Sequence, residues 1–136
     1  MRAVLDPNVV ISALLSPFGA PALVLRAWIQ GAFELVLSPL LLEELERALA
    51  YPKLRKRIGR DDAQRVTEWL ASMATVAADP EDPPVVRSPD PGDDYLIALA
   101  ASERAVLVSG DAHLLGLEGR IPVMSPARFL SEHLEH

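Results

Sequence analysis

Cysteine is absent from the 136 residues. Disulfides, thiol nucleophiles and cysteine-ligated zinc are therefore excluded, and the cytoplasm is the location this composition leads one to expect. Long apolar runs are missing too. Although half of the residues are hydrophobic, each run is short and cut by charge or proline, which leaves no candidate membrane span. Met1 to Asp6 reads as a first strand rather than as the charged and apolar regions of a signal peptide. An excess of positive charge is also lacking. The formal net charge of −6 argues against a free-standing nucleic-acid-binding module, which is usually basic. It argues less against a nuclease, whose acids hold metal while a local basic patch meets phosphate. Lysine is scarce: eleven of the thirteen cationic residues are Arg. Arginine suits bidentate phosphate contacts, but codon bias or thermal adaptation explains the preference more readily.

The length suits one domain with a real core. Ala3-Val4-Leu5 is a short apolar run that ends in Asp6-Pro7-Asn8, the pattern of a strand, a turn and a helix start. The helix continues through Leu15 and breaks at Ser16-Pro17-Phe18-Gly19. A second helix is predicted from about Pro21 to Gln30, with Gly31 as its stop. Glu34 to Leu37 reads as a second strand. Ser38-Pro39 opens a strongly amphipathic helix over Leu40 to Tyr51, with Leu41, Leu42, Leu45 and Leu49 on one stripe. A basic segment from Lys53 to Arg60 leads to a helix capped by Asp61-Asp62 and extending to about Met73. Thr75 to Ala77 is a short third strand, and the Pro- and Asp-rich stretch from Asp79 to Gly92 is an irregular loop. Asp93 and Asp94 start a helix over Tyr95 to Glu103. Ala105 to Val108 is a fourth strand, followed at once by Ser109-Gly110-Asp111 and a short helix from His113 to Leu117. Ile121 to Met124 is a final strand, and Ser125-Pro126 caps a last helix through Phe129. Alternating strands and helices predict one α/β domain over residues 1–133 with a mainly parallel sheet. Leu134-Glu135-His136 resembles the start of an expression tag, so His136 is not read as a ligand.

Four acids carry the functional signal: Asp6, Glu44, Asp94 and Asp111. Ligands of parallel sheets gather at the carboxyl ends of the strands. Asp6 follows the first strand, and Asp111 lies just beyond the fourth. Glu44 sits one turn into its helix, between Leu41 and Leu45, while Glu43 and Glu46 lean outward. Asp94 stands in the first turn of a very apolar helix, beside Asp93. Singly, each Asp is explained by helix capping and Glu44 by a boundary position. Together they repeat one polarity at three junctions, where Ser, Thr or Asn would cap as well. Converging carboxylates raise one another's pKa unless a divalent cation neutralises them. Pattern alone leaves both readings open.

The segments Val4 to Leu15, Ser38 to Leu45, Asp90 to Ala100 and Leu107 to Asp111 resemble the PIN-domain family, all four in order. The resemblance extends to Ile121-Pro122-Val123 and Pro126 to Leu130. It looks closest to the toxin ribonucleases of bacterial toxin–antitoxin pairs. It implies a three-layer α/β/α sandwich and a Mg²⁺- or Mn²⁺-dependent ribonuclease. It also implies homodimers and, for toxins, a cognate antitoxin covering the site. The family's acids map onto Asp6, Glu44, Asp94 and Asp111. Asp94 is preferred because Asp-Tyr-Leu-Ile-Ala matches the family's spacing, while Asp93 can share or replace it. Asn8 and Ser109 are expected to support the acids by hydrogen bonds. One departure stands out: the family's usual hydroxyl residue after the first Asp is here Pro7, which also removes a backbone N–H.

His113 is read as a surface or supporting residue, since the family uses no histidine base. Lys53, Arg55, Lys56 and Arg57 are candidates for contacts with the RNA backbone, although a solvated helix face balanced by Asp61 and Asp62 explains that run slightly better. Two other functions stay open. One is a PIN fold that binds RNA or protein without cutting, motivated by Pro7. The other is a phosphoryl-transfer enzyme on a different α/β fold. Against the latter, no second Asp follows Asp6 at an aspartyl-phosphatase spacing, and no Lys follows a late strand as in a receiver domain.

Overall fold

A computed structural model describes residues 1–134 of the chain; Glu135 and His136, the end of the expected tag remnant, lie outside the described residues. Five parallel strands form one sheet. They are β1 (Arg2–Leu5), β2 (Glu34–Leu37), β3 (Thr75–Val76), β4 (Val106–Val108) and β5 (Val123–Met124), in the order β3-β2-β1-β4-β5. In β1 the consecutive residues Ala3, Val4 and Leu5 are all 0% exposed. Successive strand residues point to opposite faces, so both faces of the sheet must be covered. Leu35, Val36 and Leu37 of β2 repeat the pattern. The result is the three-layer sandwich implied by the sequence. No helix among the described residues is long and apolar enough to cross a membrane by itself.

The helices are α1 (Pro7–Leu15), α2 (Ala20–Ile29), α3 (Pro39–Leu49), α4 (Pro52–Arg55), α5 (Arg60–Met73), α6 (Asp94–Ser102), α7 (Ala112–Leu115) and α8 (Pro126–Phe129). Proline stands at the first or second position of α1, α2, α3, α4 and α8, where its missing N–H costs nothing. Gly31 ends α2 with φ of +85°, a conformation that a Cβ disfavours. Trp28 of α2 packs on Trp69 of α5 with ring centroids 5.3 Å apart. Phe33 meets Phe129 of α8 edge to face at 5.2 Å, the geometry aromatic quadrupoles favour. α6 packs on β1 and β4. Leu134, the first residue of the expected tag remnant, is half-buried against the core.

Three expectations shift. α3 stops at Leu49, and the basic segment after it forms the separate short helix α4. Gly59, not Asp61 or Asp62, occupies the N-cap of α5; the two acids lie in its first turn and make no cap hydrogen bond. They act there through the helix dipole. The loop between β3 and α6 is irregular as expected, but its end, Pro91–Asp93, winds into a 3₁₀ turn that feeds directly into α6.

The strand order places β1 between β2, its successor, and β4, which arrives from the opposite direction in the chain. Strand order therefore reverses at β1. In parallel sheets this reversal opens a crevice at the carboxyl ends of the strands. Asp6 and Ser109 stand at those ends.

Candidate metal centre

Asp6 follows β1 immediately and caps α1. Its backbone N–H extends the β1–β4 ladder by donating to the Val108 carbonyl at 3.0 Å. That bond fixes the residue against β4. Both side-chain oxygens are engaged: Oδ1 accepts from the Asn8 backbone N–H at 3.0 Å, and Oδ2 accepts from the Ser109 hydroxyl at 2.8 Å. The residue is only 4% exposed. Burial pushes its carboxyl above the usual aspartate range, against those two hydrogen bonds, and the charges of Asp111 and Glu44 push in the same direction as burial.

Ser109 is wholly buried. While its hydroxyl donates to Asp6, its oxygen accepts the Asp111 backbone N–H at 3.0 Å. Asp111 in turn caps α7, with Oδ1 accepting from the His113 backbone N–H at 2.8 Å. So one serine orients two acids on neighbouring strand ends. Asn8, expected to support the acids, holds Asp6 through its backbone, and the residue lines the pocket.

Glu44 comes from α3, between the fully buried Leu41 and Leu45. Its carboxylate is half-exposed and pairs with Arg47 at 2.9 Å, one turn along the same helix. It lines a small polar pocket of about 60 Å³ with Asp6, Pro7, Asn8, Ala48, Gly92, Asp93, Tyr95 and Leu96.

Of the two candidates for the third acid, Asp93 rather than the preferred Asp94 lines this pocket. Asp94 does not line this pocket. Its Oδ1 accepts from the Ser88 backbone N–H at 2.8 Å, its Oδ2 lies 3.4 Å from the Arg87 guanidinium, and it borders the Pro80–Pro84 loop instead. Asp93 occupies the place beside the other acids. The 3₁₀ turn ahead of α6 sends the two neighbouring side chains to different sides of the helix start. Burial pushes the Asp93 carboxyl up to about 7, with further contributions from a hydrogen bond to Asp111 and from the charges of Asp111, Asp90 and Asp6. Two facing carboxyls make such a bond only by sharing a proton. Asp93 Oδ2 is buried with no partner among the described residues.

Asp90 and His113 add to this edge. Ligand atoms of Asp90, Asp93 and His113 lie within 4.8 Å of one another, and His113 Nδ1 is 3.7 Å from Asp111 Oδ1. From sequence, His113 has only a surface or supporting role, and Asp90 is not singled out. The signal was present: an Asx turn from Asp90 onto Gly92 folds the chain back toward Asp93, and His113 stands two residues after Asp111 at a helix start.

The donor set is compatible with a hard divalent cation. Carboxylate oxygens are the ligands that Mg²⁺ and Mn²⁺ prefer. An unpartnered buried Asp93 oxygen and an Asp6 whose charge is disfavoured by burial and like charges are what a cation would relieve. Asp6, Glu44, Asp93 and Asp111 are the residues that would hold it.

Lys53, Arg55, Lys56 and Arg57 do not line the acidic pocket. Arg57 donates to the Leu15 carbonyl at 3.4 Å, tying α4 to the far end of α1. Arg55 and Arg60 line a separate groove of about 440 Å³ between α3 and α5.

The fold, the switch-point position and the acids together define a recognisable class of protein. The chain belongs to the PIN-domain family, whose model matches residues 2–113. An uncharacterized protein of Methanocaldococcus jannaschii is 27% identical over 150 aligned residues, covering 97% of this chain and 91% of that protein. Among solved structures, PAE2754 from Pyrobaculum aerophilum is similar with a TM-score of 0.64 and 23% identity, covering all of this chain and 97% of that one. A chain of VapBC2 from Rickettsia felis, solved bound to a DNA fragment from their promoter, is similar with a TM-score of 0.64 and 15% identity, covering 92% and 98%. At these identities the structural likenesses show the fold.

Proposed function

We propose that this chain is a Mg²⁺- or Mn²⁺-dependent endoribonuclease that hydrolyses RNA phosphodiester bonds. The observation that carries the reading is the meeting of Asp6, Asp93 and Asp111 with Glu44 at the sheet's switch point, with protons held above the ordinary range on Asp6 and Asp93. When bound, the cation supplies charge neutralisation and Lewis-acid activation of water. The chain's own residues do the rest. Ser109 and the Asn8 backbone hold Asp6 in one orientation. Arg47 steadies Glu44. The protein around Asp6 excludes bulk water and so strengthens each charge interaction there.

The same proposal assigns the chain the toxin role of a toxin–antitoxin pair, with a cognate antitoxin as partner and a homodimer as its assembly. The sequence resemblance to that branch supports this, together with the fold likeness to a chain of VapBC2. The cations of α4 and its surroundings, the exposed Lys53, Lys56 and Arg57 and the partly buried Arg55, are proposed to meet RNA phosphates. Ala48 lines the acidic pocket, and α4 begins one helical turn later, so a strand leaving the pocket along α3 would pass them.

Pro7 favours a second reading, a PIN fold that binds RNA without cutting it. Pro7 lines the pocket and brings neither hydroxyl nor N–H to it. An end-labelled single-stranded RNA separates the two. The nuclease reading expects fragments in Mn²⁺ or Mg²⁺ and none in chelator. Tight RNA binding with intact RNA in every divalent metal would establish the binding module in its place.

A further inference from the structure

Tyr95 stands one residue into α6, with its ring between the acidic pocket and the Pro80–Pro84 loop. Its hydroxyl is buried, yet no group among the described residues partners it. Carboxylates surround it. Burial comes first in pushing its acidity far out of the physiological range, and Glu44, Asp6, Asp93 and Asp79 follow in that order. A phenol is protonated at neutral pH in any case, and beside ionised carboxylates, which only accept, its O–H serves as the donor. Two of the neighbouring acids carry the complementary defect: Asp93 Oδ2 and Asp79 Oδ1 are buried acceptors without a donor. Asp79 is held in place by its other oxygen, which accepts the Leu40 backbone N–H at 3.0 Å at the start of α3.

A buried donor beside buried acceptors, with none in direct contact, is costly unless an intervening oxygen joins them. The pocket that Tyr95 shares with Asp6, Glu44 and Asp93 has about 60 Å³, against the roughly 10–15 Å³ that one water requires. The Asn8 and Gly92 backbone N–H groups in that wall are already committed to Asp6 and Asp90, whereas the Tyr95 hydroxyl has no partner among the described residues.

We propose that Tyr95 is a positioning residue for the acidic centre, its hydroxyl donating to an oxygen atom held between Glu44 and Asp93. This rests on the reading of the centre as a cation site. The oxygen comes from solvent bound with the cation or from the phosphodiester itself. In either case the neutral O–H places an electron-rich atom where carboxylates alone would repel it.

Tyr95→Phe removes the donor and keeps the ring. Calorimetric titration with Mn²⁺ in the absence of RNA, followed by steady-state cleavage, separates the two sources. A fall in Mn²⁺ affinity of about tenfold, the size of one hydrogen bond to a charged site, assigns the oxygen to solvent. Unchanged Mn²⁺ affinity with a similar loss in kcat/KM assigns it to the phosphodiester. Unchanged affinity and unchanged kinetics overturn the proposal. So does a variant that fails to fold in metal-free buffer, because the hydroxyl would then serve the fold. A wild-type protein that neither binds Mn²⁺ nor cuts RNA overturns the cation-site reading itself, and this inference with it.

Discussion

The Ser109 hydroxyl donates to Asp6 Oδ2 at 2.8 Å, joining residues 103 positions apart in the chain. It is a side-chain cross-link between the ends of β1 and β4, beside the backbone bond from Asp6 to Val108. Because the same oxygen accepts from Asp111, one small side chain sets the spacing of two acids. A buried carboxylate keeps its charge only when hydrogen bonds or a cation favour the ionised form. Ser109 provides part of that support in the metal-free protein.

Ser109→Ala should therefore destabilise the protein by about 1–3 kcal/mol, the range for leaving buried polar partners unsatisfied. Urea denaturation at neutral pH checks this. An unchanged midpoint would mean that solvent takes over both of its hydrogen bonds.

Asp93 and Asp94 are adjacent in sequence and unlike in surroundings. Asp93→Asn should abolish tight Mn²⁺ binding. Asp94→Ala should leave it within about twofold and instead cost about 1 kcal/mol of stability, by stripping Ser88 of its acceptor. Titration of both variants with Mn²⁺, with thermal unfolding alongside, distinguishes them. The reverse pattern would return the ligand role to Asp94.

The pH dependence follows from the raised Asp93 value. Its folded pKa, about 7, lies above an ordinary aspartate value of roughly 4. Between these limits the unfolded chain has released the proton and the folded chain still binds it. Stability falls as pH rises wherever the folded state holds more protons. The contribution is thus intact below about pH 4 and lost by about pH 7. Asp6 shifts in the same direction. Without metal, the melting temperature of wild type relative to Asp93→Asn should be higher at pH 5 than at pH 8. Saturating Mg²⁺ should narrow the gap at pH 8. A gap that does not vary with pH would contradict a shared proton at Asp93.

Pro7→Thr places a hydroxyl and a backbone N–H in the pocket wall. Cleavage should rise severalfold at subsaturating Mn²⁺, at a stability cost of about 1 kcal/mol for losing a proline suited to the helix start. Equal rates would show that Pro7 is no handicap.

Much of this was legible in the chain. Three consecutive apolar residues before Asp6, and again before Ser38-Pro39, mark strands buried on both faces. Their endings locate the crevice, and the family resemblance points to Asp6, Glu44 and Asp111 as the acids placed around it. The choice between Asp93 and Asp94 was not legible. Adjacent residues on a helix point about 100° apart, and the 3₁₀ turn that sets the phase, Pro91–Asp93, has no periodic signal. The closeness of Asp90, His113 and Tyr95 to these acids was hidden for a related reason. Their places depend on where the long loop and the short turn after β4 return, which is tertiary information.

Calorimetric titration of Mn²⁺ into metal-free wild type and Asp6→Asn asks most directly whether these acids form a cation site. Wild type should show a saturable exchange of heat, and Asp6→Asn, folded to the same melting profile or a higher one, should show none. Equal binding by both proteins, or no binding by wild type, would contradict the assignment of a metal centre to the edge where Asp6 and Asp111 meet.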